Sequence, residues 1–258
     1  MASSLSLSLF PLATRTMQAR RPLARLGQGI SRPTLAVRPT RRPTAITRAS
    51  RGGDGAPRSQ PRAALALALA SAVLGPCCDT LHSRADVLTY AHPDINVPPF
   101  LVTCWWVPCL FAGAGVVIGL GVPALDRLLG DERRPEAPSW PAVLGCIAVF
   151  VSLYGASAAL EAPLRAHQGA LDVVLAAGAV AHWAVFDRTL AAAVLGGAAA
   201  LAGPATEVAL IRGLHLYTYA DPALLGAVPT WIWAVYAAGG AAVGNLGRRV
   251  LADLVESE

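Results

Sequence analysis

Lysine is absent from all 258 residues, so the 21 basic side chains are arginines. No lysine side chain is therefore available for ubiquitin attachment. Charge of either sign is scarce, at 14% of residues, where soluble domains carry about 25%. Five cysteines, at 77, 78, 104, 109 and 146, make no disulfide framework. The Cys104-x4-Cys109 pair has no matching His or Cys pair in a loop, and all five lie in or beside apolar runs. They read as small apolar residues of helix interfaces rather than metal ligands. Gly-x-Ser-x-Gly, His-Glu-x-x-His, a phosphate loop and paired carboxylates on one face are all missing, which argues against an enzyme.

What charge there is divides the chain. Residues 1–62 hold 12 Arg and one acid, Asp54, for +11, and residues 63–258 hold 9 Arg and 15 acids, for −6. The net +5 thus describes a leader and gives no nucleic-acid surface. MASSLSLSLF is Ser-rich and uncharged, and Arg then recurs among Pro, Thr and Ala with no acid before Asp54. This composition predicts an organelle transit peptide, plastid rather than mitochondrial, with Ile46–Ser50 as a cleavage region. The alternative is a basic tail that is never cleaved. The expected organisation is a leader over 1–50, a basic linker over 51–62, a membrane domain over 63–250 and a short polar tail over 251–258.

The remainder is dominated by apolar runs: 54% of the chain is hydrophobic and its mean hydropathy is +0.49. A membrane helix needs about 20 mostly apolar residues. Six segments qualify, near 63–82, 100–124, 141–160, 169–186, 189–211 and 226–246. Continuous runs without alternation exclude a β-barrel. The predicted fold is all-α, a polytopic bundle of six transmembrane helices. Small-residue stretches such as GAGVVIG, GGAAALAG and AAGGAAVG let helix backbones approach closely.

Arginine placement orients the bundle. Arg51, Arg58, Arg62, Arg127, Arg133, Arg134, Arg188, Arg248 and Arg249 fall on the side of the termini, and Arg84, Arg165 and Arg212 on the other. By the positive-inside rule both termini face the cytosol, or the stroma of a plastid.

Four polar positions interrupt the runs. Asp187–Arg188 ends the fourth span, either as a two-residue turn at the interface or as a kept charged site, since an unpaired acid there is costly. Glu207 follows Gly203-Pro204 in the fifth span. It lies either near the far interface or paired inside the bundle. Asp172 is expected to snorkel from the start of span four, and His182 reads as a satisfied core residue. His92-Pro93-Asp94 matches a co-chaperone tripeptide but lacks its flanking helices.

Five landmarks in register, WWVPCLFAGAGVVIGLGVPALDRLLG (105–130), CIAVFVSLYGASAALE (146–161), WAVFDR (183–188), GLHLYTYADP (213–222) and VGNLGR (243–248), resemble the Insig (insulin-induced gene) family. The resemblance covers 63–258. It implies a non-enzymatic six-helix membrane protein of the endoplasmic reticulum. Such a protein binds sterols or related isoprenoid lipids and the sterol-sensing-type membrane helices of partner proteins, coupling lipid supply to synthesis. No cofactor other than a sterol-like lipid is expected. The family's partner-binding Asp falls on Asp187, flanked by Trp183, Phe186 and Arg188; Trp105, Trp106, Tyr154 and Glu207 are the expected lipid contacts. Three positions depart from the pattern: Tyr154-Gly155 stand in place of Asn-His, Glu207 in place of Gln, and the Gln that the family carries near the start of the fourth helix falls near Ala170, with Gln168 two residues away. Two other readings stay open. One is a small transporter using Asp172, His182 and Glu207; the other is an assembly factor of plastid membranes.

Overall fold

A computed structural model describes residues 56–97, 100–130 and 137–257. The leader, its targeting role and its cleavage region lie outside the described residues. Six α-helices occur among the described residues: α1 (Ala56–Arg84), α2 (Trp106–Leu129), α3 (Trp140–Leu164), α4 (Gln168–Phe186), α5 (Leu190–Leu214) and α6 (Ile232–Glu256). Among the described residues, four stretches are long and apolar enough to cross a membrane: Ser59–Arg84, Trp106–Leu129, Trp140–Phe186 and Leu190–Leu214. The third is 47 residues long and holds both α3 and α4, joined by a single 3-10 turn at Arg165–His167. Helix α6 falls outside that criterion, since its second half carries Arg248, Arg249, Asp253 and Glu256.

Side-chain placement suits a lipid surround. Large apolar residues point outward along the helices, among them Val73, Val117, Val180 and Leu201. Polar groups such as Glu161, His182 and Asp187 are buried instead. A soluble domain of this size would reverse that distribution.

Helix α6 is the hub and packs against each of the other five helices. Its glycines make this possible. A Cβ on Gly247 would fall 1.8 Å from the Gly119 carbonyl oxygen of α2, and one on Gly240 would fall 2.4 Å from the Ala192 carbonyl oxygen of α5. Without side chains at these points the backbones meet directly and gain van der Waals contact that lipid alone cannot give.

Among the described residues, four three-residue strands lie in the connections of this all-α fold. β1 (Leu88–Tyr90) pairs antiparallel with β4 (Tyr217–Tyr219), and β2 (Ile95–Val97) with β3 (Leu101–Thr103). LTY and YTY alternate buried, exposed, buried, the period of a half-buried strand. Pairing satisfies backbone groups of these strands, which have no helix to do so.

Helix bounds differ from the sequence reading for local reasons. The second helix starts at Trp106 and not near 100, because Leu101–Thr103 belongs to β3. The sixth starts at Ile232 and not near 226, because Leu224–Val228 forms a bridged turn with Leu225 and Gly226 at positive φ. It then runs to Glu256, through residues read as a tail, supported by the Arg249–Asp253 i,i+4 pair. Helix α1 begins at Ala56, inside the stretch read as linker, and continues through Pro76. Pro76 has no N–H to give the Ala72 carbonyl, and its own carbonyl accepts from Thr80 Oγ1 at 2.8 Å.

Candidate functional site

Two polar centres sit at opposite ends of the bundle. The first is built on the connection between α4 and α5, a turn of three residues. Arg188 adopts φ 66, and the Asp187 and Arg188 amides both donate to the Trp183 carbonyl. This left-handed residue ends α4 at once. Thr189 then caps α5, accepting from the Ala192 amide. Asp187 Oδ1 accepts from both the amide and the hydroxyl of Thr189, at 3.0 and 2.5 Å. Trp183 Nε1 donates to the Thr189 carbonyl at 3.0 Å.

Asp187 is also one arm of a buried ion cluster. Arg248 of α6 donates from Nη1 to Asp187 Oδ2 at 2.5 Å and from Nε to Asp126 Oδ2 at 2.7 Å. Its Nη2 reaches Asp126 Oδ1 at 3.1 Å and Thr189 Oγ1 at 2.9 Å. The Arg248 side chain is 4% exposed and both carboxylates 0%. Asn245 closes the group: its Oδ1 accepts from Arg248, and its Nδ2 donates to the Phe186 carbonyl. One guanidinium thereby ties α2, α6 and the α4–α5 turn together, with its donors used in fork geometry.

The four residues assigned to partner binding do meet at this corner, but in different states. Asp187 is buried, Phe186 and Trp183 are half-buried, and Arg188 is exposed. Arg188 Nε donates to the Ala184 carbonyl at 2.5 Å. Sequence reading missed Arg248 as more than a topological charge, and missed Asp126 and Asn245. All three lie inside the quoted landmarks, the only signal available.

The second centre is a cavity of about 370 Å³, walled mainly by α2 and α5. Its body is apolar, with Phe111, Ile118, Leu195 and Ala202 among its walls. Its polar end collects Asp79, Glu207, Tyr90, Tyr217, Tyr219 and Tyr236. Glu207 Oε1 accepts from Tyr236 at 2.5 Å, and Asp79 Oδ2 accepts from Tyr90 at 3.0 Å. Tyr217 and Tyr219 also face the Glu207 carboxylate. Burial and the Glu207 carboxylate beside it push the Tyr217 phenol above its ordinary value, so it stays a donor.

Of the four expected lipid contacts, Trp106 and Glu207 line this cavity. Trp105 lies outside, 70% exposed. Tyr154 is buried elsewhere, stacked on His82. The remaining polar positions are structural. Asp172 accepts from Thr230 at 2.8 Å rather than snorkelling. His182 Nε2 lies 3.0 Å from the Cys146 carbonyl and 3.2 Å from its Sγ. Asp94 accepts from the Trp105 amide ahead of α2. All five cysteines are free.

Comparison with known proteins now bears on this architecture. The family described as Insulin-induced protein (INSIG) matches residues 62–251. Insulin-induced gene 1 protein of Cricetulus griseus is 32% identical over 237 residues, covering 90% of this chain and 87% of that one. Insulin-induced gene 2 protein of Gallus gallus is 34% identical over 164 residues, covering 63% and 69%. The crystal structure of a mycobacterial Insig homologue from Mycobacterium vanbaalenii superposes with a TM-score of 0.60 at 25% identity, covering 74% of this chain and 95% of that one. The family match spans both polar centres, all of α2 to α5 and most of α1 and α6, and the chain belongs to the Insig family of integral membrane proteins.

Proposed function

We propose that the protein is a non-enzymatic membrane adaptor with six transmembrane helices. It holds a sterol or isoprenoid lipid and binds the sterol-sensing-type membrane helices of partner proteins, tuning lipid metabolism from the endoplasmic reticulum membrane. The observation that carries this reading is the cavity between α2 and α5: an apolar body that fits a lipid, closed by a polar end that fits its head. Val117 of α2 and Leu201 of α5 are exposed on the same two helices, so a lipid enters from the bilayer and not from water. A ligand there favours one partner-bound state only by its differential affinity for the two states.

In this reading Asp187 acts on partners indirectly. Its carboxylate is consumed by Arg248 and Thr189, so it positions the corner. Exposed Arg188, with Val185 at 67% exposure, offers the contact. A transporter would need Asp172, His182 and Glu207 in one path, yet each is bonded within a different part of the bundle.

Photolabelling tests the lipid site. A diazirine sterol in nanodiscs should label α2 and α5 at the cavity walls, with competition by unlabelled sterol, and Ala202→Trp should reduce it severalfold. Labelling spread evenly over outward faces and insensitive to competitor would refute the assignment.

A further inference from the structure

The connection between α1 and α2 carries more apolar surface than a loop in water keeps. Ile95, Val97, Phe100 and Trp105 are 40, 54, 78 and 70% exposed. Lysine is absent, and no Asp, Glu, Arg or His stands between Asp94 and Asp126. The charge-free run thus starts well before α2 and takes in β2 and β3. Asp94, the last charge ahead of it, is engaged: its Oδ2 accepts from the Trp105 amide at 3.0 Å. The strand pair is a fixed platform. The Phe100 amide donates to the Val97 carbonyl at 2.8 Å. The Val102 amide donates to Thr80 Oγ1 of α1 at 3.1 Å, and Cys104 Sγ to the His92 carbonyl at 3.4 Å. Strand residues alternate faces, so Ile95 and Val97 share one with Leu101, and Asn96 lies on the other. Among the described residues β2 pairs with β3 alone, so its outer row of backbone groups has no ladder partner.

We propose that this hairpin, with Trp105, is a membrane-interface anchor, seated among the headgroups and upper acyl chains of the leaflet where α1 ends and α2 begins. Lipid is the occupant because the apolar patch runs on into the outward side of α2. There Leu110 and Val117 are 45 and 65% exposed, on a helix long and apolar enough to cross the membrane. Two opposing demands set the depth. Backbone groups of β2 without a ladder partner keep the hairpin out of the hydrocarbon centre. Four large apolar side chains draw it out of water. The interface meets both, and a Trp ring is favoured there, its body in the acyl region and its N–H among the headgroups. The hydrogen bonds to Thr80 and His92 hold the strands in place, so the anchor fixes how deep that end of the bundle sits.

Nitroxide accessibility of the full chain in phosphatidylcholine nanodiscs decides it. Cys77→Ala and Cys109→Ala remove the exposed thiols, and a nitroxide is attached at Phe100→Cys or, in a second variant, at Val97→Cys. Val117→Cys on α2 serves as the lipid reference, and Glu256→Cys at the end of α6 as the water reference. Molecular oxygen concentrates in lipid and a nickel chelate stays in water, so the ratio of their collision rates reports depth. The expected ratio at both hairpin positions is several-fold above that at Glu256→Cys and shifted toward that at Val117→Cys. A ratio equal to the water reference overturns the proposal, because the hairpin then stands in solvent. Exclusion of both reagents overturns it as well, and spin–spin broadening beside that exclusion would make a second copy of the chain the occupant.

Discussion

Arg248 Nη1 lies 2.5 Å from Asp187 Oδ2, across 61 residues of sequence, and the same guanidinium grips Asp126 of α2. The charge that ends the fourth helix is therefore held by the sixth. Breaking a buried pair by removing one partner costs about 3–5 kcal/mol, because the other charge stays buried. Arg248→Met strands two carboxylates and should lower the unfolding midpoint in detergent more than Asp126→Asn does. Equal small shifts for both would show that the cluster is solvated.

Asp187→Ala should weaken partner capture by disordering the corner. It removes an acceptor for the Thr189 amide and hydroxyl as well as an arm of Arg248. Protease accessibility at 187–189 should rise together with the loss of binding. Lost capture with unchanged accessibility would mean that Asp187 touches the partner itself.

Gly247→Leu should prevent close packing of α6 on α2. Even a Cβ here meets the backbone of Gly119, and overpacking of a tight contact costs about 1–3 kcal/mol or more. Gly113→Leu is the control, since nothing lies within 4 Å of its Cβ position. Thermal unfolding of the two variants should separate clearly.

Thiol labelling should sort the cysteines. Cys77 and Cys109 are exposed, whereas Cys78, Cys104 and Cys146 are buried. N-ethylmaleimide, which enters lipid, should modify the first two in the folded protein and the others only after denaturation. Mass spectrometry of the peptides checks the order.

The sequence was most legible where chemistry is continuous. The apolar runs became helices because a run of that length has few other ways to satisfy its backbone in lipid. Three-residue strands left no comparable trace, and LTY looked like connecting sequence until β4 stood beside it. The ion cluster was readable only in part. Asp187 stood out as a charge among apolar neighbours, but Asp126 and Arg248 are 122 residues apart and each has a bland local reading as a helix-end charge. Glu207 was ambiguous between an interface and a pocket until Tyr236, 29 residues away, was placed on it. What pairs locally can be read from spacing; what pairs across the bundle needs the fold.

The hub helix is also the last of the six to be synthesised. While α1 to α5 enter the membrane, the close-approach face of Gly196 has no partner, and Asp126 and Asp187 have no guanidinium. The nascent protein therefore waits, incompletely packed and with two acids uncompensated, until Arg248 leaves the ribosome. Closure of the ion cluster therefore depends on the last of the six described helices. A chain stopped short of that arginine would display its own defect as unpaired charge inside the bilayer.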